Sequence, residues 1–207
     1  MCNRYHFSGR EVRRLVERMR LRPVTEKATD VWPTKPAPVV LHRQDYGACF
    51  ELMKWGLQPD WQRQLLLFAR AETVHSKMTF RQAYRQRRCL VAATSFWEGA
   101  CFGRADDGPL VFGGVWDSWM DAQGNQSEGF VMVSTPATAA VMPYNDRQPL
   151  VLPEDAWTAW LDPKSKPETL RPLLRTWEDL VQTAPEPPRK ERQVSKPSAT
   201  EQLELKW

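Results

Sequence analysis

The second residue of the chain is a cysteine, in the opening stretch MCNRYHF. If Met1 is removed, Cys2 carries an α-amine and a thiol on adjacent carbons. Such a 1,2-aminothiol reacts with aldehydes. The amine condenses to an imine, and the thiol closes on the imine carbon to give a five-membered thiazolidine. An α-amino group with a pKa of about 7.7–8.0 is partly neutral at cytoplasmic pH, whereas an interior lysine needs a large shift to match it. Arg4 nearby favours the thiolate. The plain alternative is a chance cysteine behind a retained Met1.

Glu98 is the second candidate. It follows the apolar run CLVAATSFW and stands between Trp97 and Gly99. A carboxyl poorly hydrated beside such rings holds its proton more tightly, which suits a general acid. The alternative is a glutamate emerging into water at a strand end. FARAETV sets Arg70 and Glu72 two apart, on one face if the segment is a strand. Arg70 then either holds a phosphate or pairs with Glu72. In PYNDRQPLVL, Asn145, Asp146 and Arg147 occupy a turn before a strand. Asn145 can donate a hydrogen bond there, and Asp146 and Arg147 read as a structural pair.

These groups need elements to carry them. SGREVRRLVERMRLRP is a helix with Ser8 and Glu11 as a capping box and Pro23 as its stop. Val12, Leu15, Val16 and Met19 form its apolar stripe. APVVLHR and ACFELMKWGL are two strands around the turn QDYG. MTFRQAYRQRR is a short helix with Thr79 as cap. CLVAATSFWEG is a strand apolar enough to be central. LVFGGVWDSWM, GFVMVSTPA and QPLVL add further strands, with turns at DDGP and QGN. LPEDAWTAWLDP is a helix with Pro153 in its first turn, and KPETLRPLL is a weaker one interrupted by Pro172. Strands and helices mix without a βαβ rhythm, which implies an α+β fold with mostly antiparallel strands. A single domain over residues 1–184 is expected. After Ala184 the composition turns proline-rich and charged, so 185–207 reads as a tail, part of which could dock on the domain.

The totals narrow the function classes. Of 207 residues, 42% are hydrophobic, enough for one real core. Ten tryptophans are core material and, where exposed, stacking platforms for bases. The net charge of +4 is concentrated in arginines at the start and middle of the chain, which fits a polyanion partner or simply a solvated face. The four cysteines and three histidines show no CxxC or HxxxH spacing, so neither a metal site nor a cofactor is expected. No signal peptide and no membrane-spanning run is read, so a cytoplasmic protein with free thiols is the expectation.

Four ordered blocks resemble one known family. They are DVWPTKPAPVV, MKWGLQPDW, ARAETVHSKMTFRQAYRQRRCLVAATSFWE and GFVMVSTPATAAVMPYNDRQPLVL. They are similar to blocks of the SOS-response-associated peptidase (SRAP) family, whose members shield abasic sites in single-stranded DNA by crosslinking to them. The resemblance covers residues 2 to about 161, with an echo in QVS at 193–195.

The resemblance implies a barrel-like, mostly antiparallel core with flanking helices. It implies Cys2 as nucleophile and Glu98 as acid/base, with Asn145 at the third catalytic position. Arg4, Arg70 and Lys77 would face phosphates. Pro33 and Trp61 would brace bases beside the gap, Ser134 would sit by the lesion, and Phe68 would stand at the DNA site. The family's histidine before Asp-Arg is Asn145 here, and asparagine cannot titrate near neutral pH. The family's asparagine before Ala-Arg is Phe68. The tryptophan after the glutamate is Gly99, which removes a stacking wall, and Asp30 stands where a neutral amide is expected. The resulting expectation is a nucleoid-associated protein, favoured as a monomer, that crosslinks Cys2 to abasic single-stranded DNA. It would be a self-processing peptidase with lyase activity as a further reading. The alternatives are a non-covalent DNA-binding module and a thiol peptidase or hydrolase acting on other substrates.

Overall fold

The computed structural model describes residues 3–22, 27–59, 62–120 and 124–185. In chain order the elements are β1 (Arg4–Phe7), α1 (Gly9–Arg18), β2 (Thr29–Val31), β3 (Pro36–Arg43), β4 (Gly47–Trp55), β5 (Phe68–Arg70), α2 (Met78–Gln86), β6 (Arg88–Ala93), β7 (Ser95–Trp97), β8 (Ala100–Arg104), β9 (Leu110–Met120), β10 (Gln126–Pro136), β11 (Arg147–Pro149), α3 (Trp157–Leu161), α4 (Pro167–Leu170) and β12 (Leu180–Pro185).

The strands form two sheets. One is antiparallel throughout, in the order β12-β8-β7-β1-β2. In the other, β10, β4, β3, β6 and β9 follow one another, and β9 pairs with β10 to close a five-stranded barrel. Strands β11 and β5 extend this sheet from β10. Its pairings are antiparallel except where β10 meets β4 and β5. The expected α+β, mostly antiparallel, barrel-like core is therefore the observed one. Closure at the β10–β4 seam needs Gly129, since a Cβ there would lie 2.4 Å from the Gly56 carbonyl oxygen.

Aromatic side chains join the sheets into one core. The Tyr5 ring meets Trp55 and Phe112 edge-on at 5.5 and 6.0 Å, and Phe96 meets Phe112 at 6.1 Å and stacks on Phe102 at 5.5 Å. The capping box of α1 forms as expected, and Val12, Leu15 and Val16 are buried. Glu11 is buried too, and Thr94 Oγ1 donates to its carboxylate at 3.0 Å.

Arg88 locks the helices to the barrel. It is buried, yet its partners are carbonyls rather than a carboxylate. Nη1 donates to Tyr84 and Arg85, Nε to Trp160 and Nη2 to Asp162. These carbonyls lie at the C-terminal ends of α2 and α3, where helical carbonyls lack partners and carry partial negative charge. One guanidinium thus caps two helices.

Several sequence expectations are corrected. CLVAATSFWEG is two strands. All six residues of β6 are buried in the barrel, and the chain crosses to the other sheet at Thr94, whose N–H donates to the His6 carbonyl. In FARAETV the strand ends at Arg70 and turns follow, so Glu72 does not share a strand face with it. Helix α2 starts at Met78 behind Lys77, without a side-chain cap from Thr79, because consecutive turns over Arg70–Lys77 lead directly into it. Arg88, read as helical, opens β6. The expected interruption of KPETLRPLL is observed, since α4 ends at Leu170 and Pro172 lies in a 3-10 turn (Arg171–Leu173). Strands β1, β2, β8 and β12 were not anticipated, being short or polar. The described chain passes Ala184 by one residue, to the end of β12. Cys2, Trp61 and residues 186–207 lie outside the described residues.

Candidate functional site

The site is built around the β7–β8 hairpin. Trp97 pairs with Cys101, and Glu98 and Gly99 turn the chain between the strands. The Glu98 N–H donates to the Ala100 carbonyl at 2.9 Å. Gly99 has φ +75°, a conformation that glycine adopts without strain. Strand β1 pairs antiparallel with β7, with Arg4 opposite Trp97. The N-terminal end of β1 is therefore the end beside the Glu98 turn.

Asn145 reaches Glu98 from the turn before β11. The turn Val141–Asn145 closes on backbone bonds from Tyr144 and Asn145 to the Val141 carbonyl. The Arg147 N–H donates to Asn145 Oδ1 at 3.0 Å. With its oxygen so used, the amide turns its nitrogen to the acid, and Nδ2 donates to Glu98 Oε1 at 3.2 Å. Both side chains are half-buried. The structure thus brings Glu98 and Asn145 into contact from positions 47 residues apart.

Arg147 anchors that turn. Its guanidinium grips Glu72 with two bonds of 2.6 and 2.9 Å and also donates to the Ser134 carbonyl at 2.6 Å and Oγ at 3.2 Å. The bidentate pair holds the Glu72 carboxyl below the usual carboxylate range. Glu72 pairs with Arg147, not Arg70, and Arg147 pairs with Glu72 rather than Asp146. Ser134 is completely buried on β10, under Arg147 and between Arg70 of β5 and Pro149 of β11.

On the flanks, Arg70 and Lys77 are exposed and line one open depression with Thr73 and Ser76. The half-buried Phe68 ring packs edge-on against Trp55, 5.8 Å between centroids. Pro33 is half-buried in the turn after β2. Before it, Trp32 is exposed, and the Arg4 guanidinium lies between the Trp32 and Trp97 rings at 5.2 and 4.2 Å. Asp30, noted as a departure in charge, stands 3.9 Å from Arg4, and His6 Nδ1–H donates to it at 2.9 Å.

Sequence reasoning set Trp97 beside Glu98 but missed Trp32, His6 and Tyr144. The alternation of Arg4 and His6 on one strand face was the available signal for His6. Tyr144 had none, because its partner is distant in sequence. Gly99 does not leave an open gap, since the Tyr144 ring lies directly over it.

Two of the described cysteines, Cys49 and Cys89, are poor nucleophiles. Burial and the Glu51 carboxylate push the Cys49 thiol up to about 12, and full burial raises Cys89 as well. Among the described residues no cluster could hold a metal ion, and no helix is long and apolar enough to cross a membrane.

The abasic site processing protein YoqW of Bacillus subtilis is 27% identical over 142 residues, covering 61% of this chain and 63% of that protein. YoaM of the same organism, also an abasic site processing protein, is 28% identical over 138 residues, 59% and 61% of the two chains. The abasic site processing protein YedK of Escherichia coli is 26% identical over 133 residues, 59% and 60%. The match thus spans somewhat under two thirds of these relatives. A solved protein from Bordetella bronchiseptica superposes with a TM-score of 0.73 at 23% identity, covering 88% of this chain and 99% of that one. One from Bacteroides thetaiotaomicron gives 0.68 at 20% identity, covering 86% and 90%. These two similarities speak for the fold. The model of the SOS response associated peptidase (SRAP) family matches residues 1–185, and the chain belongs to that family.

Proposed function

We propose that this protein binds single-stranded DNA at abasic sites and closes its N-terminal Cys2 onto the lesion aldehyde. The observation that carries the reading is the Asn145–Glu98 contact, which fixes a half-buried carboxylate at the N-terminal end of β1. Its support beyond that is family membership and the abasic site processing proteins among its relatives.

With Met1 removed, the Cys2 amine adds to the aldehyde carbon of the ring-opened sugar. The resulting hemiaminal loses water to give an imine. The thiol then adds to the imine carbon and its proton passes to nitrogen. One C–N and one C–S bond form, and one water leaves. Glu98 donates the proton to the departing oxygen and takes one back. Asn145 Nδ2 holds the carboxylate in place by donating a hydrogen bond, but the amide neither releases nor accepts a proton near neutral pH. Arg70 and Lys77 neutralise phosphates along the depression they share. Arg4 holds Trp32 and Trp97 beside the strand as platforms for unpaired bases. Pro33 forms the shoulder of this groove, and Ser134, fully buried, supports the site through its bonds with Arg147.

The experiment is denaturing electrophoresis of wild-type protein mixed with an abasic oligonucleotide. An SDS- and heat-stable band is expected, absent in Cys2→Ala and slowed in Glu98→Gln. A second reading, a non-covalent DNA-binding module, is favoured by the non-titrating Asn145. Retardation in a native gel with no SDS-stable band would select it.

A further inference from the structure

We propose that Tyr144 is the ring on which the nucleobase next to the abasic gap stacks, with purines held better than pyrimidines. The inference rests on the DNA-binding part of the proposed function, and not on the covalent step.

Tyr144 is fixed from three sides. A Cβ at position 99 would lie 2.6 Å from its Cδ1, so the ring sits directly against the Gly99 backbone. Its edge-to-face contact with Phe102 of β8 spans 5.6 Å. Its hydroxyl donates to Gln182 Oε1 of β12 at 3.1 Å. A ring so held is already ordered, and a base that stacks on it loses little further side-chain freedom.

The ring nevertheless remains 42% exposed. It lies against Gly99, which follows the acid, and precedes Asn145 in sequence, so it stands beside the Glu98–Asn145 pair. A tyrosine serving only to cover Phe102 would turn its face inward. Here a large part of the residue stays open to solvent beside the Glu98–Asn145 pair, with its hydroxyl end held by Gln182. Stacking on an aromatic face tolerates any base and is stronger for the larger purines. Position 99 is coupled to this role. Any side chain there would displace the ring, which gives a reason for glycine in addition to the positive φ.

The test uses a single-stranded oligonucleotide with a tetrahydrofuran gap, which has no aldehyde, and 2-aminopurine beside it. Wild-type binding should quench the 2-aminopurine. Tyr144→Leu, which keeps a packing group on Phe102 but has no π-face, should lose the quench and bind about ten-fold more weakly. Tyr144→Phe keeps the ring without the Gln182 bond and should retain the quench, with a loss of affinity well below that of Tyr144→Leu. Gly99→Ala should weaken binding as Tyr144→Leu does, and the double variant should lose little more. Quenching and affinity unchanged in Tyr144→Leu overturn the inference, as does equal loss in Tyr144→Phe. A parallel arm uses aldehyde-bearing abasic DNA. Wild type that quenches in a Tyr144-dependent way but leaves no crosslink sinks the covalent reading and keeps the stacking role. Normal crosslinking with Tyr144-independent binding does the reverse, and no binding to either oligonucleotide overturns both.

Discussion

Asn145 Nδ2 stands 3.2 Å from Glu98 Oε1 while its own oxygen accepts from the Arg147 N–H at 3.0 Å. The backbone therefore decides which end of the amide meets the acid. Asn145→Asp would place a second carboxylate against Glu98 and remove the donor. Crosslinking should slow by roughly ten-fold or more, since like charges oppose each other's ionisation. Asn145→His supplies a group that titrates near neutral pH and should accelerate the reaction and its reversal, by up to roughly 10²-fold for an added general acid or base. Single-turnover rates across pH would check both.

Arg70 and Lys77 flank one depression and are open to solvent. Each alanine substitution should weaken DNA binding equally for all sequences. Each should also reduce the slope of log affinity against log salt by about 1. A titration at several salt concentrations reads this directly. An unchanged slope would place the strand elsewhere.

Arg88 links the ends of α2 and α3 through buried carbonyls. Arg88→Leu leaves those carbonyls without a donor. Each lost buried bond costs about 1–3 kcal/mol, offset in part because a buried charge no longer has to be desolvated. A net loss of about 3 kcal/mol is expected, which lowers Tm by roughly 6–12 °C in a protein of this size. Calorimetry on the two proteins would measure it.

Glu51 carries an acid-dependent share of stability. Its bonds to Arg43, of 2.9 and 2.6 Å, hold its carboxyl below the usual 4.5. A carboxyl depressed on folding adds stability above its unfolded pKa, and that stability disappears as pH falls through the folded value. Wild-type Tm should therefore decline below about pH 4.5. Glu51→Gln should be less stable at neutral pH and converge on wild type in acid. Parallel curves across the whole range would contradict this.

Much of the scaffold was legible because its signals are local. The Ser8–Glu11 box, the stripe of α1 and the β3–β4 hairpin follow from spacing alone. The crossing at Thr94 was not, because an apolar run does not show where a strand changes sheet. The site was legible as residues but not as pairs. Glu72 and Arg147 meet across 75 positions, and Gly99 and Tyr144 meet across a turn whose closure is tertiary. Arg147 could equally have paired with Asp146 by sequence, and only the placement of β5 beside β10 decides for Glu72.

The central claim is that the Cys2 amine and thiol are consumed together by an abasic aldehyde. Intact mass spectrometry before and after mixing with abasic single-stranded DNA tests it most directly. The free protein should weigh one methionine less than the full chain, and the product should equal protein plus oligonucleotide minus one water. It should also resist borohydride, because the ring has already closed on the imine. A chain that retains Met1, or one that lacks it yet gains no mass, would contradict the claim.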